Sequence, residues 1–172
     1  MKVQVLSLNY APEEIGIAVY STGLVDELSA RGHKVTAICA HPYYPQWQVF
    51  ADWPRFGYRT LTSPSGAKVV HCPLYVPTVP SAKSRMLHYA SFALTALPRL
   101  LMDAARNRPD VVVVVAPSLV AALSGWIGAR LTGAKLWLEI IPTAARLLAA
   151  RKDLTFVICG TGPYLATLRS EA

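Results

Sequence analysis

Apolar and polar positions fall into blocks along this chain, and the period of the blocks changes in a regular order. Val3-Gln4-Val5-Leu6-Ser7-Leu8 opens as a strand-like run. Ile17, Tyr20, Leu24 and Leu28 then recur at three- and four-residue spacing, with Ser21, Asp26, Glu27 and Arg31 elsewhere, as in an amphipathic helix. Gly32 stops that helix, and the β-branched run Lys34 to Cys39 follows as a strand suited to burial in a parallel sheet. Strand, helix and strand make a βαβ unit. Its connecting loop, Asn9 to Gly16, lies beyond the carboxyl end of the first strand, where open parallel sheets bind ligands and a helix start offers unpaired N–H groups to phosphate. Gly16 and Ile17 are therefore the first candidate phosphate-binding positions.

Further strands are expected near Lys68 to His71, Val111 to Val115, Lys135 to Leu138 and Leu154 to Cys159. The uncharged stretch Val111 to Ala129 has the length of a membrane span. Its five valines after Pro109-Asp110 instead read as a buried strand, Pro117 breaks the run, and Ser118 can cap a helix from Leu119 to Leu131. Ser81 to Arg106 is helical with apolar residues around most of its circumference and basic residues toward its ends. Packing on the sheet and lying in a lipid headgroup layer both fit that pattern. The fold expected is α/β, a doubly wound parallel sheet of Rossmann type. Residues 135 to 159 read as a second βαβ unit, so right-handed crossovers would place the last three strands side by side.

Candidate chemistry clusters in the loops. Tyr43-Tyr44-Pro45-Gln46-Trp47, followed by Phe50, Trp53, Phe56 and Tyr58, is an irregular aromatic segment that either stacks on a sugar or covers the sheet. His41 ends the second strand and is expected to face the cleft, as a ligand contact or an ordinary hydrogen-bonding group. Glu13 can contact an acceptor hydroxyl, act as a base, or complement the helix dipole. Gly160-Thr161-Gly162-Pro163 is another strand-to-helix turn, a weak phosphate cradle when taken alone. A non-catalytic nucleotide- or sugar-binding Rossmann-like module is one open reading of these loops, and a dehydrogenase-like domain ranks last, since the first loop lacks G-x-G-x-x-G and the second strand ends in Ala40-His41 without an acidic ribose ligand.

Composition narrows the partners. The 172 residues suit one domain, and 53% hydrophobic with 16% charged content suggests an apolar surface covered by something else. A net charge of +7 favours an anionic partner, a nucleotide diphosphate or an anionic membrane surface. Nucleic acid is not expected, because the basic residues are scattered and form no dense stripe. Cys39, Cys72 and Cys159 read as buried thiols, and with no metal-ligand spacing or secretory signal peptide the expectation is a cytoplasmic chain with neither metal nor cofactor.

Motifs in one consistent order carry a resemblance. Asn9-Tyr10-Ala11-Pro12-Glu13, Gly16, Arg31-Gly32-His33-Lys34-Val35, Pro42-Tyr43-Tyr44-Pro45-Gln46-Trp47, Cys72-Pro73-Leu74-Tyr75-Val76-Pro77, Arg85-Met86-Leu87-His88 and Arg108-Pro109-Asp110-Val111 resemble the amino-terminal domain of family 4 glycosyltransferases. The closest resemblance is to colanic-acid-type sugar transferases of bacterial exopolysaccharide synthesis. It implies one half of a two-domain GT-B enzyme, with residues 1–139 the acceptor-side domain. Residues 140–172 resemble a fragment of the donor domain that could complete the same sheet.

The resemblance further implies a nucleotide-sugar donor held by Gly16, Ile17, Gly160 and Gly162. It implies a saccharide or lipid-linked acceptor contacted by Glu13, His41, Tyr43, Tyr44, Trp47 and Ser118, and a place on the inner face of the cell membrane. The family's donor-domain basic pair and glutamate pair are absent from these residues. Ala18 also stands for the loop's usual second glycine, and Ala116-Pro117-Ser118 for a histidine that many relatives carry. The chain is thus expected to resemble a shortened form without turnover of its own.

Overall fold

A computed structural model describes residues 1–115 and 119–139, and Met1–Leu138 forms one compact unit. Its strands are β1 (Lys2–Ser7), β2 (Lys34–Ala40), β3 (Arg59–Thr62), β4 (Lys68–Cys72), β5 (Val111–Val115) and β6 (Lys135–Glu139), and its helices α1 (Ile17–Ala30), α2 (Ala82–Asn107) and α3 (Leu119–Thr132). They form one sheet in the order β3-β4-β2-β1-β5-β6. β1 pairs in parallel with β2 on one side and β5 on the other, Leu6 lying opposite Ile38 and Val114. The strand order therefore reverses at β1, and the carboxyl edge there is the topological switch point.

The valine run shows why this sheet needs no polar alternation. Val112 and Val114 join Leu6, Ile38, Val70, Phe92 and Leu100 in the core under α2 and α3. Val113 and Val115 join Val5, Val25, Val35 and Ala37 in the core under α1. A parallel strand covered on both faces buries every side chain, so five consecutive valines satisfy both layers. Strand plus separate helix is thus the observed arrangement, and no described helix is long and apolar enough to cross a membrane.

Three local features differ from the pattern reading. On α1 the positions closest to the sheet are Ala18, Ser21 and Val25, while Ile17, Tyr20, Leu24 and Leu28 flank them half-buried. Small residues let the helix approach until Ser21 Oγ lies 2.7 Å from Ser7 Oγ. On α2 one face buries His88, Phe92, Ala96 and Leu100, while Met86, Leu87 and Leu94 stand exposed on the other. The edge strand β3 was not expected: it has four residues, three of them exposed, and pairs antiparallel to β4. Short exposed edges carry little hydrophobic signal.

Gly125 and Gly128 of α3 press against the side chains of Val114 and Leu100, where a Cβ atom would collide. The strand expected at Leu154 to Cys159, its completion of the sheet, and Ser118, Gly160 and Gly162 lie outside the described residues.

Candidate functional site

At the carboxyl edge, β1 runs into the Leu8 to Gly16 loop and β2 into the aromatic segment. The two loops and α2 enclose a cavity of about 230 Å³. Gly16 and Ile17 line it from the first loop, Tyr43, Tyr44 and Trp47 from the second, and Tyr89 from α2, with Leu8, Asn9 and Ile15 completing the wall. Five residues singled out in the sequence are thereby brought together. Among the described residues no lining side chain is charged.

Gly16 is the N-cap of α1 at φ 63°, and no side chain caps the helix start. A Cβ there would meet nothing within 4 Å, so the backbone conformation, rather than space, calls for glycine. The first turn carries no acidic residue either, which leaves its N–H groups and positive dipole end facing the cavity mouth.

Glu13 lies beneath the site and does not line it. Its Oε1 accepts from the backbone N–H groups of Tyr43 at 2.7 Å and Tyr44 at 2.8 Å, and its Oε2 accepts from Asn9 Nδ2 at 2.8 Å. The side chain is 4% exposed. Burial pushes its carboxyl up from 4.5, although the three hydrogen bonds favour the charged form. Geometrically this carboxylate is a clasp between the two loops, with both oxygens engaged by the protein's own donors.

Of the two readings of His41, the ordinary hydrogen-bonding group is the one observed. It is buried, its Nε2 donates to the Gly57 carbonyl at 3.0 Å, and its Nδ1 has no partner among the described residues. Its ring packs edge-on to Trp53 rather than into the cavity. The β2 residues alternate faces, and position 41 falls on the side of Cys39 and α1, which a pattern reading of a loop position cannot register. His71 sits beside it against Trp53, Nδ1 bonded to the Ala40 carbonyl at 2.9 Å, and burial lowers its pKa to about 4.

Asn9, Tyr89 and His88 were not foreseen as parts of the site. Asn9 had a signal in its spacing of four from Glu13, but Tyr89 and His88 reach the loops only through the packing of α2. Trp47 holds φ 53°, in the left-handed region, and the Arg85 guanidinium lies 5.7 Å from its ring centroid. Among the described residues no group of three or more His, Cys, Asp or Glu could hold a metal ion.

A family described as the glycosyl transferase 4-like domain matches residues 16–162. A provisionally named colanic acid biosynthesis glycosyl transferase, WcaI, of Escherichia coli (strain K12) is 41% identical over 140 residues, 81% of this chain and 34% of that protein. The chain thus spans about a third of the length of this relative. The catalytic domain of starch synthase IV from Arabidopsis thaliana, bound to ADP and acarbose, superposes with a TM-score of 0.54 at 17% identity, over 80% of this chain and 33% of that one. The carboxyl-terminal domain of a hydrogenase from Pyrococcus furiosus superposes at 0.50 and 11% identity, over 81% and 90%. Likeness at those identities is likeness of fold, and a transferase beside a hydrogenase domain shows that the architecture alone selects no chemistry.

Proposed function

Because the chain belongs to the glycosyl transferase 4-like family, we propose that it is the acceptor-side half, residues 1–139, of a glycosyltransferase of bacterial exopolysaccharide biosynthesis. Such an enzyme moves a sugar from a nucleotide-sugar donor to a saccharide or lipid-linked acceptor. The observation that carries this reading is the meeting of the Gly16 loop and the aromatic loop around one cavity at the switch point.

Tyr44, Trp47 and Tyr89 offer ring faces that match the apolar face of a pyranose. The uncapped start of α1 offers N–H groups to a donor phosphate. A leaving diphosphate also needs cations, and none lines the cavity, so turnover requires groups from a donor half and this chain alone would bind without transferring. Titration with maltose and with UDP-glucose tests the reading. Trp47→Ala is expected to weaken maltose binding roughly tenfold through lost ring contact. Absence of binding by either compound at millimolar concentration, in a chain with a native melt, would sink it.

The proposal extends to an anionic membrane surface. Met86 at 68%, Leu87 at 56% and Leu94 at 74% exposure share one face of α2 with exposed Lys83. Flotation with phosphatidylglycerol vesicles, but not with phosphatidylcholine ones, is the expected result, and Leu87→Glu should abolish it. Equal behaviour with both vesicles, or none, would remove the membrane from the account.

A further inference from the structure

The aromatic wall of the carboxyl-edge cavity conceals a polar atom without a partner. His88, on α2, is 0% exposed, and its Nδ1 lies 2.5 Å from the Tyr75 carbonyl oxygen. A carbonyl only accepts, so Nδ1 carries the proton and the neutral ring presents Nε2 as a bare lone pair. That Nε2 has no hydrogen-bond partner among the described residues. A buried acceptor in this state costs free energy until a donor reaches it.

The rings packed around His88 are themselves the cavity wall. Tyr43 lies 4.6 Å away by ring centroid, Trp47 5.4 Å and Tyr89 5.5 Å, and all three line the cavity. Trp47 is also the residue held at φ 53°. Backbone of that kind is unfavourable for a bulky side chain and concentrates at ligand sites. An orphan acceptor and a strained aromatic residue therefore meet at one wall.

We propose that His88 Nε2 accepts a hydrogen bond from a hydroxyl of the saccharide that enters this cavity, with the Trp47 ring turning aside to admit it. The chemistry selects that ligand group. A phosphate or carboxylate oxygen would face a lone pair, and a cation would lose its hydration among aromatic rings, whereas a neutral hydroxyl supplies the missing proton and tolerates the apolar wall. The inference rests on reading the cavity as a saccharide site, and the test separates the two.

The full chain, labelled with ¹⁵N, is titrated with maltose while long-range imidazole spectra report His88 Nε2 and the indole N–H signal reports Trp47. His88→Asn is titrated alongside, since its amide can still donate to Tyr75 but places nothing at Nε2. Maltose is expected to shift Nε2 of His88 together with the Trp47 indole. The Asn variant should bind at least fivefold more weakly, with partial recovery in His88→Gln, whose amide oxygen reaches the Nε2 position. If Trp47 responds while Nε2 does not and His88→Asn binds as the parent does, the lone pair serves an internal water. The inference then fails and the saccharide site stands. If neither signal moves, both fail. Should His88→Asn not fold, the Nε2 signal of the parent chain decides alone.

Discussion

The two edges of the sheet each hold a cavity, and they differ in kind. The amino edge has the larger one, about 380 Å³, lined among others by His33, Lys34, Lys68 and Arg106. Its charges are largely accounted for: Lys68 pairs with Asp103 at 3.0 Å and Lys34 donates to Asn107 at 3.3 Å. α1 and α2 both end there, and basic side chains complement the carbonyl-rich ends of helices without any ligand. The carboxyl edge encloses about 230 Å³, with no charged lining and with the uncapped start of α1. Helix polarity divides the edges of such a sheet, and unmet hydrogen-bonding capacity marks a candidate site better than volume or charge does.

The largest effect expected to sharpen that contrast comes from acid. His71 titrates near 6.5 unfolded and about 4 folded. Between those values the unfolded chain binds more protons, so stability is complete above 6.5 and falls as pH drops toward 4, by about 3 kcal/mol for a shift of this size. Burial lowers His41 and His88 in the same direction. Raised Glu13 acts oppositely, gaining protons on folding. Urea melts across this range should show the loss, and Glu13→Gln should steepen it; a flat profile would contradict neutral burial of these rings.

Next in size is the clasp itself. Glu13→Ala strands the N–H groups of Tyr43 and Tyr44 and should cost about 2–3 kcal/mol, whereas Glu13→Gln, still able to accept from both, should cost under about 1 kcal/mol. Equal losses in chemical denaturation would show that charge, rather than acceptor geometry, holds the loops. Gly16→Ala should cost about 1–3 kcal/mol from its glycine-favouring backbone alone, measured the same way, since no atom obstructs the methyl group. The smallest effect belongs to the other edge. Arg106→Ala, at an exposed position, should change stability by under about 0.5 kcal/mol and leave maltose titrations unchanged. A change in saccharide affinity there would break the division between the edges.

The sheet was legible because its signals are local. Apolar strand runs, three- and four-residue helical spacing, Gly32 after α1, and the valine run each act within a few residues, and the strands they indicate among the described residues appear with bounds shifted by at most a residue. β3 was not, because a short, exposed edge such as Arg59–Thr62 has little apolar content to display. Within the site, the joining of Gly16 to Tyr43, Tyr44 and Trp47 follows from both loops leaving neighbouring parallel strands at one edge. The roles of Glu13 and His41 do not follow, since direction depends on which face a side chain takes and on what packs over it. Tyr89 and His88 lie about forty residues beyond Trp47 and about seventy beyond Gly16, and enter through α2 alone.

The way Glu13 holds its partner loop has a bearing on change over time. The carboxylate grips main-chain N–H groups, which every residue except proline supplies, so the tie is indifferent to what the gripped positions carry. Tyr44, 37% exposed beside the cavity, can be exchanged for another side chain while the loop keeps its path. Such a fastening separates the frame from the cavity lining, and it allows that lining to be rewritten one residue at a time without rebuilding the scaffold that presents it.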